Sequence, residues 1–330
     1  MVAKLFIAGK SETASQGEVG LFYATIQRMQ HQSKSEETTY TINDLGNNQE
    51  LNLDNQNLST LPDQIGQFID LKVLSLYKNQ LTGIPESIWQ LTKLEVLNLA
   101  DNQFTVLPEN IGNLTKLRML DAGHNKITDL PRSLAKLVNL KFLYLSNNDL
   151  TSIEIAFESL QKLIYLNITD NQLSALPEDI GSLTKLLELR LYNNQLKSLP
   201  DLIGKLTRLR ELHVMNNQLA TLPETIGRMK NLKKLMLQSN QIEALPDSLC
   251  SLFGLHDLDL RFNNLTHLPE SLGALKRLRF LDLRANQLSS LPASMANLKK
   301  LEKLDVRWNR FQRAPAWFAQ LEERGCTIYT

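Results

Sequence analysis

The chain has 330 residues, with 36 lysines and arginines against 35 aspartates and glutamates. That balance lacks the basic footprint selected by nucleic acid or an anionic membrane. No apolar run approaches the length of a membrane-spanning helix, so neither nucleic acid nor membrane insertion is expected.

Residues 1–47 precede any repeating pattern. The opening Met1-Val-Ala-Lys-Leu-Phe-Ile-Ala-Gly-Lys10 has too short an apolar core for a signal peptide, and no small-residue cleavage site follows it. Ala8-Gly9-Lys10-Ser11 has the ending of a phosphate-binding loop, but Lys4 stands where that loop requires glycine, so no nucleotide site is expected. Ser15 and Glu18 have the spacing of a capping box. Leu21, Phe22, Ile26 and Met29 then make the apolar stripe of a helix over 18–31. This helix is expected to cap the open end of the first repeat, with 32–41 as a solvated connector.

From residue 48 a 23-residue period governs the chain through residue 310, giving about twelve units. Asparagine recurs at this step from Asn79 through Asn171 to Asn309 without a slip, and all eleven prolines, Pro62 to Pro315, share another position. In the unit that begins at Leu163, the pattern Leu163, Leu166, Ile168 ends in the two-residue alternation of a strand with one buried face. Strands from successive units are expected to stack in parallel at about 5 Å per turn, a surface on the order of 55 Å long. The asparagine follows the strand where the chain must bend, and its amide can satisfy several backbone groups at once, so a ladder is expected. Pro177 is expected at the first position of a short helix or 3₁₀ segment on the opposite side. An acidic residue follows eight of the prolines, such as Glu178. A basic residue closes seven units, at Lys93, Lys116, Lys162, Lys185, Arg208, Arg277 and Lys300, and both suit a helix dipole. In the first unit Gln56 replaces the ladder asparagine, which suits a boundary. One internal unit, 140–162, departs from the pattern: Leu150 to Glu158 contains neither proline nor glycine, which fits drift on the convex loop, with a local contact site on that side as the alternative.

These residues resemble the 23-residue class of leucine-rich repeats found in bacterial repeat proteins and in Ras-group intracellular scaffolds. The resemblance runs from about Asn48 to the C-terminus. It implies an α/β solenoid, a curved horseshoe with a parallel sheet on the concave face and short helices or 3₁₀ segments on the convex face. It also implies a protein-interaction scaffold, without naming a partner.

The outward strand positions of the middle units hold Phe142, Tyr144, Tyr165, Arg190, Tyr192, His213, Met215 and Met236, and Tyr77 lies on the same face. Exposed aromatic and arginine side chains are the usual anchors of interfaces, so this surface is expected to engage a partner, although stacking that only stabilises the sheet would give the same pattern. A second patch, Arg261, Phe262, Phe280, Arg284, Arg307 and Trp308, lies toward the C-terminal end. Within it Asp259, Asp282 and Asp305 share one strand position in successive units. That spacing would suit a pair of glycosidase carboxylates, yet the arginines two residues later predict an ion-pair ladder instead. Of the five histidines, His124 and His213 lie near the concave face four units apart, and no two are expected to share a metal with a carboxylate or cysteine, so a metal site is not expected.

At the end, 311–330 completes the last repeat and adds a cap. Pro315 to Arg324 reads as a helix stopped by Gly325, and Cys326 to Thr330 as a closing strand, so the chain is expected to be complete at both ends. The two cysteines, Cys250 and Cys326, do not form the clustered staples of extracellular repeat proteins, which points to the cytoplasm, or to export into a host cytosol without a cleavable signal. The expected function is a monomeric, non-enzymatic scaffold that binds a protein on its concave face and uses no cofactor. The alternatives are the recognition half of a larger enzyme or effector, such as a ubiquitin-ligase or GTPase fusion, or a secreted surface or carbohydrate recognition module.

Overall fold

Each Leu-x-x-Leu-x-Leu segment forms a three-residue strand whose central leucine points into the core. The structure is a computed structural model; it describes residues 49–330, all within one unit, Leu45–Thr330, and the expected cap over 1–47 lies outside the described residues. The strands are β1 Glu50–Asn52, β2 Val73–Ser75, β3 Val96–Asn98, β4 Met119–Asp121, β5 Phe142–Tyr144, β6 Tyr165–Asn167, β7 Glu188–Arg190, β8 Glu211–His213, β9 Lys234–Met236, β10 Asp257–Asp259, β11 Phe280–Asp282, β12 Lys303–Asp305 and β13 Thr327–Tyr329. They form one parallel sheet in sequence order, with β1 and β13 at its two edges among the described residues. Neighbours pair in the repeat's own register, Leu166 beside Leu189 and Leu189 beside Leu212. From Leu74 to Leu304 every central strand leucine is at most 1% exposed, so each turn buries its apolar face against the next.

The chain turns off the sheet through a residue in the left-handed region, immediately before the ladder asparagine. Asn193 (φ 55°), Asn216 (φ 52°), Phe262 (φ 56°), Ala285 (φ 52°) and Trp308 (φ 60°) all occupy it. The asparagine then secures the bend. Asn171 donates from Nδ2 to the carbonyls of Leu145 (2.9 Å), Ile168 (3.3 Å) and Thr169 (3.0 Å), and accepts the Leu150 N–H at 3.0 Å. Asn102 to Asn309 repeat this set turn after turn, and the expected ladder is present. Gln56, one methylene longer, instead bonds to the carbonyl of Asp54 in its own turn at 3.0 Å.

On the convex side most turns carry a five-residue 3₁₀ helix, such as Glu178–Ser182, with Ile180 buried beneath it. The prolines do not occupy the first helical position. Pro177 sits one residue earlier with extended backbone (φ −69°, ψ 146°), and its carbonyl accepts the first helical N–H, from Ile180, at 3.2 Å. The fixed φ still suits the site, because proline gives up no donor in a cap. The basic residues likewise fall beyond the helix ends: the segment Glu86–Gln90 closes at Leu91, and Lys93 pairs instead with Asp70 of the preceding turn.

A glycine inside these segments lets successive turns close up. A Cβ placed on Gly273 would lie 1.9 Å from the carbonyl oxygen of Ser294. In the irregular unit Glu158 takes this position, the 3₁₀ helix shortens to Phe157–Ser159, and Phe157 fills the core at 0% exposure. Its N–H donates to the Asp179 carboxylate at 2.8 Å, so the departure is a repacked turn rather than a loose loop. At the C-terminal end a short helix, α1 Phe318–Glu322, is followed by Gly325 at φ 89° and then β13, as the sequence predicts.

Candidate interaction surface

Register brings the outward side chains of β5 to β9 into two columns. One runs Phe142, Tyr165, Glu188, Glu211, Lys234; the other runs Tyr144, Asn167, Arg190, His213, Met236. Tyr192 and Met215 lie two residues past Arg190 and His213. Tyr144, Arg190, Tyr192, His213, Met215 and Met236 are half-buried. Phe142 and Tyr165 are not presented as the alternation predicts, being only 3% and 7% exposed. Large rings at outward positions are enclosed by what surrounds them: the Tyr165 ring lies 4.9 Å from that of Tyr144, and the Arg190 guanidinium sits 5.9 Å over it.

Beside the rings lies a charged tract built from Glu188, Arg190, Glu211, His213 and Lys234. Arg190 Nε donates to Glu188 Oε1 at 2.5 Å, while Glu211 contacts His213 Nε2 at 3.1 Å and Lys234 Nζ at 3.1 Å. Burial raises the Glu211 pKa, but the hydrogen bond from His213 and the charge of Lys234 outweigh it and hold the group at about 2. The signal was available, since the 23-residue step from Tyr165 lands on Glu188, then Glu211, then Lys234. The one histidine of this tract, His213, lies beside two carboxylates, with no second histidine among the grouped donors. Ligand atoms of Glu188, Glu211 and His213 all lie within 4.8 Å of one another, a spacing that three metal donors could adopt. Their carboxylates, however, already accept from Arg190 and Lys234, so a divalent cation would have to displace two resident cations. As the side chains stand, this is an ion-pair network at the middle of the face.

Toward the C-terminal end the Asp–Arg ladder forms as expected. Arg261 meets Asp259 (3.2 Å) and Asp282 (4.0 Å); Arg284 meets Asp282 (2.6 Å) and Asp305 (3.4 Å); Arg307 meets Asp305 (2.7 Å). Burial pushes the Asp259 carboxyl up to about 6 against the pull of Arg261. Asp305, though buried, is held below the ordinary range by the hydrogen bonds of Arg307 and the charge of Arg284. Carboxylates enclosed and saturated in this way are poorly placed to act on a substrate. Alongside the ladder Phe262, Phe280 and Trp308 stand 49%, 39% and 64% exposed.

Comparison with known proteins agrees with this architecture. A family model for a leucine-rich repeat region matches residues 155–246 and 239–323, and two further leucine-rich-repeat models match 47–104, 92–136 and 115–156. No curated protein matches in a sequence search. Among solved structures, a leucine-rich-repeat protein of Leptospira interrogans is similar at 32% identity and a TM-score of 0.60, over 84% of this chain and 82% of that one. An internalin of Listeria monocytogenes shares the fold at 22% identity and a TM-score of 0.69, over 94% of each chain. A plant peptide hormone receptor, solved with its peptide, matches at 27% identity and a TM-score of 0.61, over 79% of this chain but only 51% of the receptor chain. By the matched models and by its repeat architecture, the chain belongs to the leucine-rich-repeat family.

Proposed function

We propose that this chain is a non-enzymatic module that binds a protein partner on the middle of its concave face, around Tyr144, Arg190, Tyr192, His213, Met215 and Met236. One observation carries the reading: half-buried aromatic, thioether and charged side chains stand side by side there on a rigid sheet. Such groups lose little freedom on binding and serve well as anchors. The similarity to a plant receptor solved with its peptide supports a proteinaceous partner. Two buried cysteines that remain thiols support a reducing compartment such as the cytoplasm, and a monomer is the simplest state for a face kept for a partner.

The test is capture from lysate with the wild type and with a Tyr144→Ala/Tyr192→Ala variant, followed by affinity measurement on the purified captured protein. Loss of the partner from a variant that melts like the wild type supports the reading. Equal affinity for both chains rejects it.

A further inference from the structure

The residue that precedes the ladder asparagine forms a column along the rim of the sheet, polar for most of its length and internally bonded in its middle stretch. Asn147 bonds with His124 (2.8 Å), Asn193 with Asp170 (2.5 Å) and Asn216 with Asn193 (2.6 Å). Short polar side chains suit the left-handed backbone there because they can bond locally. The column then changes character to Phe262, Ala285 and Trp308. The two aromatic residues stand two turns apart, and the small Ala285 between them lets their rings lean together, with centroids 6.4 Å apart and planes at 33°. Nothing in the fold requires them, since the same backbone is made elsewhere by asparagine and alanine. Both are widely exposed.

The floor beside this bracket is the Asp–Arg ladder. In its two outer rungs the aspartates are the more enclosed, Asp259 at 10% and Asp305 at 0% against Arg261 at 31% and Arg307 at 38%, while in the middle rung Asp282 (20%) and Arg284 (18%) are about equally exposed. Arg284 and Arg307 spend Nε and Nη2 on carboxylates, and Nη1 of each engages no acceptor among the described residues. Arg307 also lies 5.7 Å over the Trp308 ring. The surface therefore offers an apolar bracket next to guanidinium N–H groups that engage no acceptor among the described residues, while the ladder's carboxylates already accept from arginine. A neutral sugar needs acceptors for its hydroxyl protons and finds these already bonded. A ligand rich in acceptors and carrying an apolar group fits on both counts.

We infer that Phe262, Trp308 and the arginine ladder form a docking site for an acidic segment of a partner protein, whose apolar side chain seats on the aromatic bracket while its carboxylates face Arg284 and Arg307. The inference rests on the protein-binding reading of the chain but not on contact at its central face, and direct binding to the purified chain separates the two.

The experiment is a fluorescence-anisotropy titration with a labelled peptide, a run of glutamates interrupted by a central Leu-Phe. The comparison probes are the same peptide with every glutamate replaced by glutamine, and a labelled thymidine oligonucleotide. The test variant is Phe262→Asn/Trp308→Asn, which installs the residue found at this position in Asn193 and Asn216. Trp308→Ala, following Ala285, serves as a second variant should the first fail to fold. The wild type is expected to bind the glutamate peptide at least about tenfold more tightly than either variant does, and about tenfold more tightly than it binds the glutamine peptide. Absence of binding to the glutamate peptide, equal binding by a folded variant, or equal binding of the glutamine peptide overturns the proposal. Tighter binding of the oligonucleotide overturns it in favour of a phosphate ligand.

Discussion

The side-chain oxygen of Asn171 accepts the backbone N–H of Leu150, 21 residues earlier, at 3.0 Å. The same amide donates to Leu145 at 2.9 Å, so one side chain ties its own turn to the turn before it. Alanine at this position leaves buried backbone donors and acceptors unmatched, each at a cost of about 1–3 kcal/mol. Asn171→Ala is expected to lower the urea midpoint clearly, and Asn194→Ala similarly, whereas Gln195→Ala, on the exposed side of the same bend, is expected to leave it in place. An unchanged midpoint in both asparagine variants contradicts the role assigned to the ladder.

Gly273 tests the stacking on the convex side. A methyl group there collides with the carbonyl of Ser294, whereas one on Gly83 meets nothing within 4 Å. Gly273→Ala is expected to destabilise by about 1–3 kcal/mol, as overpacking does. Gly83→Ala, in open space and without a positive φ, is expected to be neutral or slightly stabilising. Thermal melts of the two variants decide it, and a Gly273→Ala protein as stable as the wild type shows that the turns have room to move apart.

Almost all of the fold was legible in the sequence, because one physical unit is written many times over. The step from Asn171 to Asn194 fixes the spacing of turns, and Leu166 with its equivalents fixes which side is buried. What escaped was what depends on neighbours across turns. Alternation alone sends Tyr165 outward, but only the assembled face reveals that its ring is enclosed. Likewise Glu188, Glu211 and Lys234 are ordinary surface charges in sequence and become a network only when β7, β8 and β9 lie side by side. Pro177 caps its helix instead of opening it, a distinction of one residue that the sequence does not carry because proline's fixed φ suits both positions.

The Glu211 network makes a prediction about acid. Its folded pKa, about 2, lies below the ordinary 4.5, so the group contributes stability above pH 4.5 and loses it as pH falls toward 2. Glu211→Gln removes this contribution. The gap in melting temperature between wild type and variant is therefore expected to be widest near neutrality and to close across that acid window. A gap that stays constant from neutrality to pH 2 means that Glu211 gains nothing from His213 and Lys234.

The central face gives the functional prediction, and burial decides which side chains should test it. Tyr165 is 7% exposed, so its truncation would disturb packing as well as any contact. Tyr144 and Tyr192 are half-buried, each with a central strand leucine of its own turn anchored in the core beneath. Truncating both removes aromatic surface from the face without opening the leucine core, so the melting temperature should fall little. If the partner docks here, hot-spot behaviour predicts a loss of about 2 kcal/mol or more in binding, read as faster dissociation in surface-plasmon measurements with the captured partner. If the double variant instead binds normally and melts early, the tyrosines are a structural stack, and the contact must be sought at the Phe262 and Trp308 end of the sheet.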